Sequence, residues 1–127
     1  MKIRLFDRCS NNPIISPLDM PFQAAAVLNP GATQHGDEVL LLLRVEDHAG
    51  YSSLHVARSK NGVDGWEIDS EPLLRYGEPD WRYEQWGCGK ARITYLSKML
   101  VHYLHCVFSC TCLATAKLKE VLALLST

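Results

Sequence analysis

The stretch Glu38-Val39-Leu40-Leu41-Leu42-Leu43-Arg44-Val45 decides how this chain is read. It is a continuous apolar run between two turns, His35-Gly36-Asp37 before it and His48-Ala49-Gly50 after it. A half-exposed strand would alternate apolar and polar residues. An unbroken run bounded by turn residues predicts a strand with both faces covered. The run from Val39 to Leu43 is far too short to span a bilayer.

Outward from this strand, short apolar pieces separated by turn residues predict an all-β chain. On the N-terminal side, Ala24 to Leu28 is a short apolar stretch expected to stop at Asn29-Pro30-Gly31. Asn11-Asn12-Pro13 and Ser16-Pro17-Leu18-Asp19 read as turns. On the C-terminal side, Ser53 to Ser59 alternates, with Leu54 and Val56 in antiphase to His55 and Ala57. Lys60-Asn61-Gly62 is a hairpin signal. Trp66 to Ile68 and Pro72 to Leu74 are short extended pieces.

Residues 75–87 read as a loop rich in aromatic and charged side chains: Tyr76, Asp80, Trp81, Tyr83, Glu84 and Trp86. Such a loop fits a functional surface or a lid packed on a core equally well. Arg92 to Leu96 and Met99 to Phe108 are two further strands, with Ser97-Lys98 as a tight turn. At the end, Leu118, Val121, Leu122 and Leu125 recur at helical spacing, giving a short C-terminal helix. Leu113-Ala114-Thr115 fits the end of a strand instead.

Bulk properties narrow the function classes. The chain has 127 residues, enough for one core, and a formal net charge of -1. That balance leaves no electrostatic footprint for nucleic acid or an anionic membrane. Met1-Lys2-Ile3-Arg4-Leu5 is basic without an apolar segment behind it, so no signal peptide is expected. Five cysteines without a secretory signal imply reduced thiols and a cytoplasmic location. His102, His105, Cys106, Cys110 and Cys112 are metal-ligand types. They form no Cys-x-x-Cys pair, and strand alternation would send His102 and His105 to opposite faces, so no metal site is expected.

Composition changes along the chain. Of 14 acidic residues only Glu120 follows Glu84, and of five cysteines only Cys9 precedes Cys88. The shift falls near residues 87–96. A domain boundary or an altered reading of a longer gene would each produce it.

Three segments carry the chemistry. The first is Asn12-Pro13-Ile14-Ile15-Ser16-Pro17 with Asn29-Pro30-Gly31-Ala32. The second is Leu42-Leu43-Arg44-Val45-Glu46-Asp47 with Leu54-His55-Val56-Ala57-Arg58-Ser59 and Asp64-Gly65-Trp66. The third is Tyr83-Glu84-Gln85-Trp86-Gly87-Cys88 with Ala91-Arg92-Ile93-Thr94-Tyr95. From about residue 10 to Tyr95, their order and spacing resemble the β-mannoside phosphorylases of glycoside hydrolase family 130.

The resemblance implies a five-bladed β-propeller, of which residues 1–127 would form one incomplete domain of roughly one to two blades. It implies cleavage of β-mannosides, by inorganic phosphate as co-substrate to give mannose 1-phosphate, or by water, with no other cofactor. It places Asn29, Arg44, Asp47, Tyr83 and Arg92 at substrate-binding positions. Arg44 would offer a rigid fork of donors and Asp47 acceptors for sugar hydroxyls. Read from the residues alone, Arg44 and Asp47 also fit a local ion pair at a strand end.

The resemblance fails at Gly89-Lys90. The family carries Glu-Asp, or another residue followed by Asp, directly before Ala/Pro-Arg-Ile. Lys90 stands at the aspartate position, and an ammonium with a reference pKa of about 10.4 is a poor proton donor near neutral pH. No catalytic residue is retained, and the expectation is a chain that does not turn over. A partial propeller would also expose strand edges open to self-association. The alternatives are a non-catalytic carbohydrate-binding or interaction module, and the product of a broken gene.

Overall fold

The computed structural model describes residues 6–77 and Gly87, together with the backbone of three strands between residues 91 and 113. Among the described residues the chain is all-β, as expected, apart from one short 3-10 turn. The first sheet has four antiparallel strands in the order β1-β2-β3-β4: β1 (Ala26–His35), β2 (Glu38–Glu46), β3 (Ser52–Ser59) and β4 (Glu67–Ile68). A four-stranded meander of this form is the unit from which a propeller blade is built. The second sheet holds β5 (Ala91–Leu96), β6 (Met99–His105) and β7 (Thr111–Leu113), in that order. Its first strand, β5, lies beside β1.

The leucine run is the second strand of the first sheet and is buried on both faces. Leu40 and Leu42 join Leu54, Val56 and Leu74 in one cluster. Leu41, Leu43 and Val45 join Met20 and Ala57 in another. The pairing Leu42↔Val56 and Leu41↔Ala57 follows from the two-residue period of both strands. The N-terminal segment covers the second cluster with Ile15, Phe22 and Ala24. That segment is shaped by a single 3-10 turn, Pro17–Asp19, in which the Asp19 carboxylate accepts hydrogen bonds of 2.7 Å from both the amide and the hydroxyl of Ser16. Those two bonds hold the Asp19 carboxyl below the usual carboxylate range.

One sequence expectation is corrected. The strand beginning near Ala24 does not stop at Asn29-Pro30-Gly31 but runs through it to His35. The register jumps from Leu28↔Arg44 to Gly31↔Leu42, so Asn29 and Pro30 together oppose the single residue Leu43. This is a β-bulge, and it is what makes the proline tolerable, because a bulged residue need not donate to the ladder. Asn29 adopts φ +37, a left-handed conformation that asparagine enters more readily than most residues.

The hairpin expected at Lys60-Asn61-Gly62 is present: the chain reverses there and β3 pairs antiparallel with β4 from Arg58↔Glu67, through a connection longer than two residues. Side chains order it. The Ser59 hydroxyl takes the amides of Asn61 and Gly62, and the Asn61 side-chain oxygen takes those of Val63 and Asp64.

The other boundaries agree closely with expectation. The turn at His35-Gly36-Asp37 is a hairpin closed by the pair His35↔Glu38, with Gly36 at φ +57. Of the piece Pro72 to Leu74, Leu74 bridges Leu54. Leu96 pairs with Met99. Ser97-Lys98, Tyr83, Gly89, Lys90, Cys106, Cys110 and the helical reading of residues 118–125 lie outside the described residues.

Candidate functional site

Arg44 stands near the end of β2, on the same face as Leu40 and Leu42. Its side chain is 18% exposed. Its Nε donates to the Ser52 hydroxyl at 2.9 Å, and its terminal nitrogen reaches the Glu46 carboxylate at 3.4 Å. The ion pair that the sequence suggested at this strand end therefore forms with Glu46. Asp47 has other partners.

Ser52 is 1% exposed, and its surroundings explain why. Gly87 packs directly on it. A Cβ placed on Gly87 would lie 2.8 Å from the Ser52 amide nitrogen, and Gly87 adopts φ +121. Both facts demand glycine. The second and third sequence segments thus meet here: Gly87 closes over Ser52, and Ser52 holds Arg44.

Asp47 organises the turn between β2 and β3. One carboxylate oxygen accepts the amides of Ala49 and Tyr51, each at 2.9 Å. The other accepts the Tyr76 hydroxyl at 2.9 Å. Tyr76 also stacks on Tyr51, with ring centroids 4.7 Å apart and an interplanar angle of 18°. Desolvation alone would raise the Asp47 carboxyl. Hydrogen bonds from Tyr51, Tyr76 and Ala49 outweigh it and hold the group below its ordinary value. The same bond raises the Tyr76 hydroxyl above its ordinary value.

Asn29 is exposed, at the bulge, one residue beyond Leu28, which pairs with Arg44. Bulges recur beside binding sites because they re-aim a side chain. Arg92 lies on β5 opposite Tyr103. The structure therefore brings Asn29 and Arg44 to neighbouring strand positions. It places Asp47 past the strand end, at the rim of a groove on the other face of the sheet.

That groove, of about 250 Å3, was not anticipated from the sequence. Asp47, Tyr76, Ser53, His55, Phe22 and Arg75 are among the residues that line it. One signal was available: the alternation of β3 puts His55 in phase with Ala57, on a covered face. His55 is 3% exposed and is satisfied by Ser53 and by the Asp69 carbonyl oxygen, each at 3.1 Å. Burial holds its pKa below the ordinary histidine value. Among the described residues there is no cluster of His, Cys, Asp and Glu that could hold a metal ion, and no helix long and apolar enough to cross a membrane.

The chain matches no protein-family model and no curated protein sequence. Its fold is similar to that of a candidate glycoside hydrolase from Parabacteroides distasonis ATCC 8503. That likeness has a TM-score of 0.64 at 22% identity, over 76% of this chain and 33% of the other. It is also similar to a β-1,2-mannobiose phosphorylase from Listeria innocua, solved as its β-1,2-mannobiose complex. Here the TM-score is 0.63 at 21% identity, over 79% of this chain and 44% of the other. The chain spans less than half the length of either protein. At these identities the likeness is one of fold.

Proposed function

We propose that this chain is a portion of a β-mannoside phosphorylase-like propeller that keeps part of a sugar-binding surface and lacks the proton donor for glycoside cleavage. The observation that carries this reading is the meeting of separate segments around Arg44. Glycine at position 87 lets the third segment close on Ser52, and Ser52 fixes the guanidinium. A guanidinium has five N–H donors, of which Ser52 and Glu46 engage two, so donors remain for sugar hydroxyls. Asn29 stands at the neighbouring bulge.

The fold likeness to a protein solved with β-1,2-mannobiose supports this choice of ligand class. The missing step is protonation of the leaving oxygen. Lys90 in place of a carboxylic acid cannot supply it efficiently near neutral pH.

The test is a calorimetric titration with β-1,2-mannobiose, paired with an assay for mannose 1-phosphate in the presence of inorganic phosphate. Binding without turnover is expected. Arg44→Ala should weaken binding at least about tenfold, the loss of a charge-assisted contact. Absence of binding heat would sink the sugar-site reading, and robust mannose 1-phosphate release would sink the claim of inactivity.

A further inference from the structure

We propose that Ser53 and His55 form a second chemical site, a hydroxyl–imidazole pair that transfers acyl groups from small activated esters to water. The two residues are two apart on β3 and share the face that Arg44 does not. The Ser53 hydroxyl oxygen lies 3.1 Å from His55 Nε2. His55 Nδ1 lies 3.1 Å from the carbonyl oxygen of Asp69.

The carbonyl decides the tautomer. It can only accept, so Nδ1 carries the ring proton and Nε2 keeps its lone pair. Nε2 is then the acceptor for the Ser53 proton. This is the arrangement that activates a serine: a base within hydrogen-bond reach, itself oriented by a third group. A main-chain oxygen here fills the orienting role that a carboxylate plays elsewhere. Phe22 packs on the imidazole at a centroid distance of 4.4 Å, and His55 is 3% exposed, so the ring has little freedom to turn away.

The pair is not sealed in the core. Ser53 and His55 both line the groove of about 250 Å3, together with Phe22, Gln23 and Arg75. This is below the usual range of drug-sized pockets, roughly 300–1,000 Å3, which points to a small substrate. Arg75 brings a guanidinium to the same groove, with one N–H engaged by Glu71 at 3.2 Å. A further N–H can meet the charge that develops on a carbonyl oxygen.

In the reaction, Ser53 Oγ bonds to the ester carbonyl carbon while its proton passes to His55 Nε2. The tetrahedral oxyanion collapses, the bond to the leaving oxygen breaks, and His55 returns the proton to that oxygen. Water then attacks the acyl-serine, giving its proton to Nε2. The carboxylic acid leaves, and Ser53 recovers its hydrogen. Atoms and protons balance with water as the one co-reactant.

The experiment uses the full chain with p-nitrophenyl acetate, followed by release of p-nitrophenol and by mass mapping of the acylated peptide. A fluorophosphonate probe serves as a second label. The expected result is a single adduct within β3 and turnover above the buffer rate. Ser53→Ala should abolish both, which also separates Ser53 from its neighbour Ser52. His55→Asn keeps a donor for the Asp69 carbonyl but removes the base, and should slow acylation by about 10²–10⁴-fold. If His55→Asn melts early by circular dichroism, labelling of the wild type and of Ser53→Ala decides alone. A label elsewhere, no label on the folded wild type, or unchanged turnover in Ser53→Ala overturns the proposal.

Discussion

The two faces of the first sheet are built alike and finished differently. Each has an apolar middle supplied by alternate residues of the same leucine run, and each carries a serine near one end. On one face Ser52 is closed over by the backbone of Gly87 and spends its hydroxyl on Arg44. On the other, Ser53 pairs with His55 and opens on a groove. Adjacent residues of one strand, with the same side chain, are thus a buried support and an accessible hydroxyl. The difference comes from what covers each face, a glycine backbone in one case and an open groove in the other.

The largest effects should come from the apolar middles. Leu54 is 0% exposed on the Gly87 face and Leu43 is 1% exposed on the groove face. Each substitution to alanine is expected to cost about 2–5 kcal/mol in urea denaturation. Similar values would mean that both faces are equally well packed, whereas a much smaller loss for Leu43→Ala would show that the groove lets its face relax.

Next comes the glycine closure. Gly87→Ala should cost about 1–3 kcal/mol, because the new Cβ meets a backbone nitrogen and the backbone angle is unfavourable. Gly36→Ala is the control. It carries φ +57 but has nothing within 4 Å of the added carbon, so only the conformational cost of about 1–2 kcal/mol applies. If Gly87→Ala proves no more damaging than Gly36→Ala, the closure over Ser52 is not tight.

The two serines then compare directly. Ser52→Ala removes a bond to a charged group and should cost about 2 kcal/mol, against about 1 kcal/mol for Ser53→Ala, whose partner is neutral. Thermal melts of the two single variants at one pH would reverse the reading if the order came out the other way.

The smallest effect is a pH dependence confined to the groove face. Burial lowers the folded pKa of His55, so the unfolded chain takes up a proton first as pH falls. Stability should therefore decline below about pH 6.5, the reference histidine value, and go on falling until the folded state also protonates. His55→Asn should flatten that limb. Asp47 and Tyr76 set outer limits with opposite signs. The lowered Asp47 carboxyl contributes above about pH 4 and is lost in acid, while the raised Tyr76 hydroxyl contributes below about pH 10 and is lost in alkali. A flat stability profile from pH 5 to 7 in the wild type would remove His55 from this account.

Much of the sheet was legible because burial on two faces leaves a plain mark, an apolar run without alternation. The limits of β2 and β3 agree with the sequence reading to within a residue or so at each end. The continuation of β1 through Asn29-Pro30-Gly31 was not legible. A proline ordinarily stops a strand, and only the pairing with β2 shows that the offending residues sit in a bulge. Arg44 and Asp47 were singled out as one site, yet they project at different places, since two residues, Val45 and Glu46, and the end of β2 separate them. Ser52 carried no signal at all. Its importance depends on Gly87, which is distant in sequence, and a contact of that kind leaves no local pattern. His55 did leave one, a titratable ring on a covered strand face.

The leucine run also has a kinetic consequence. An exposed strand of this composition would pair readily with any other unfolded chain. Here its correct partners are the nearest available. Two residues, Gly36 and Asp37, separate it from β1, and residues 47–51 separate it from β3. Antiparallel pairing over such short connections forms in about 1–10 μs for an isolated hairpin. Glu38 and Arg44 bracket the run with charge while it waits. The segment most prone to aggregate is thus the one whose native neighbours arrive first.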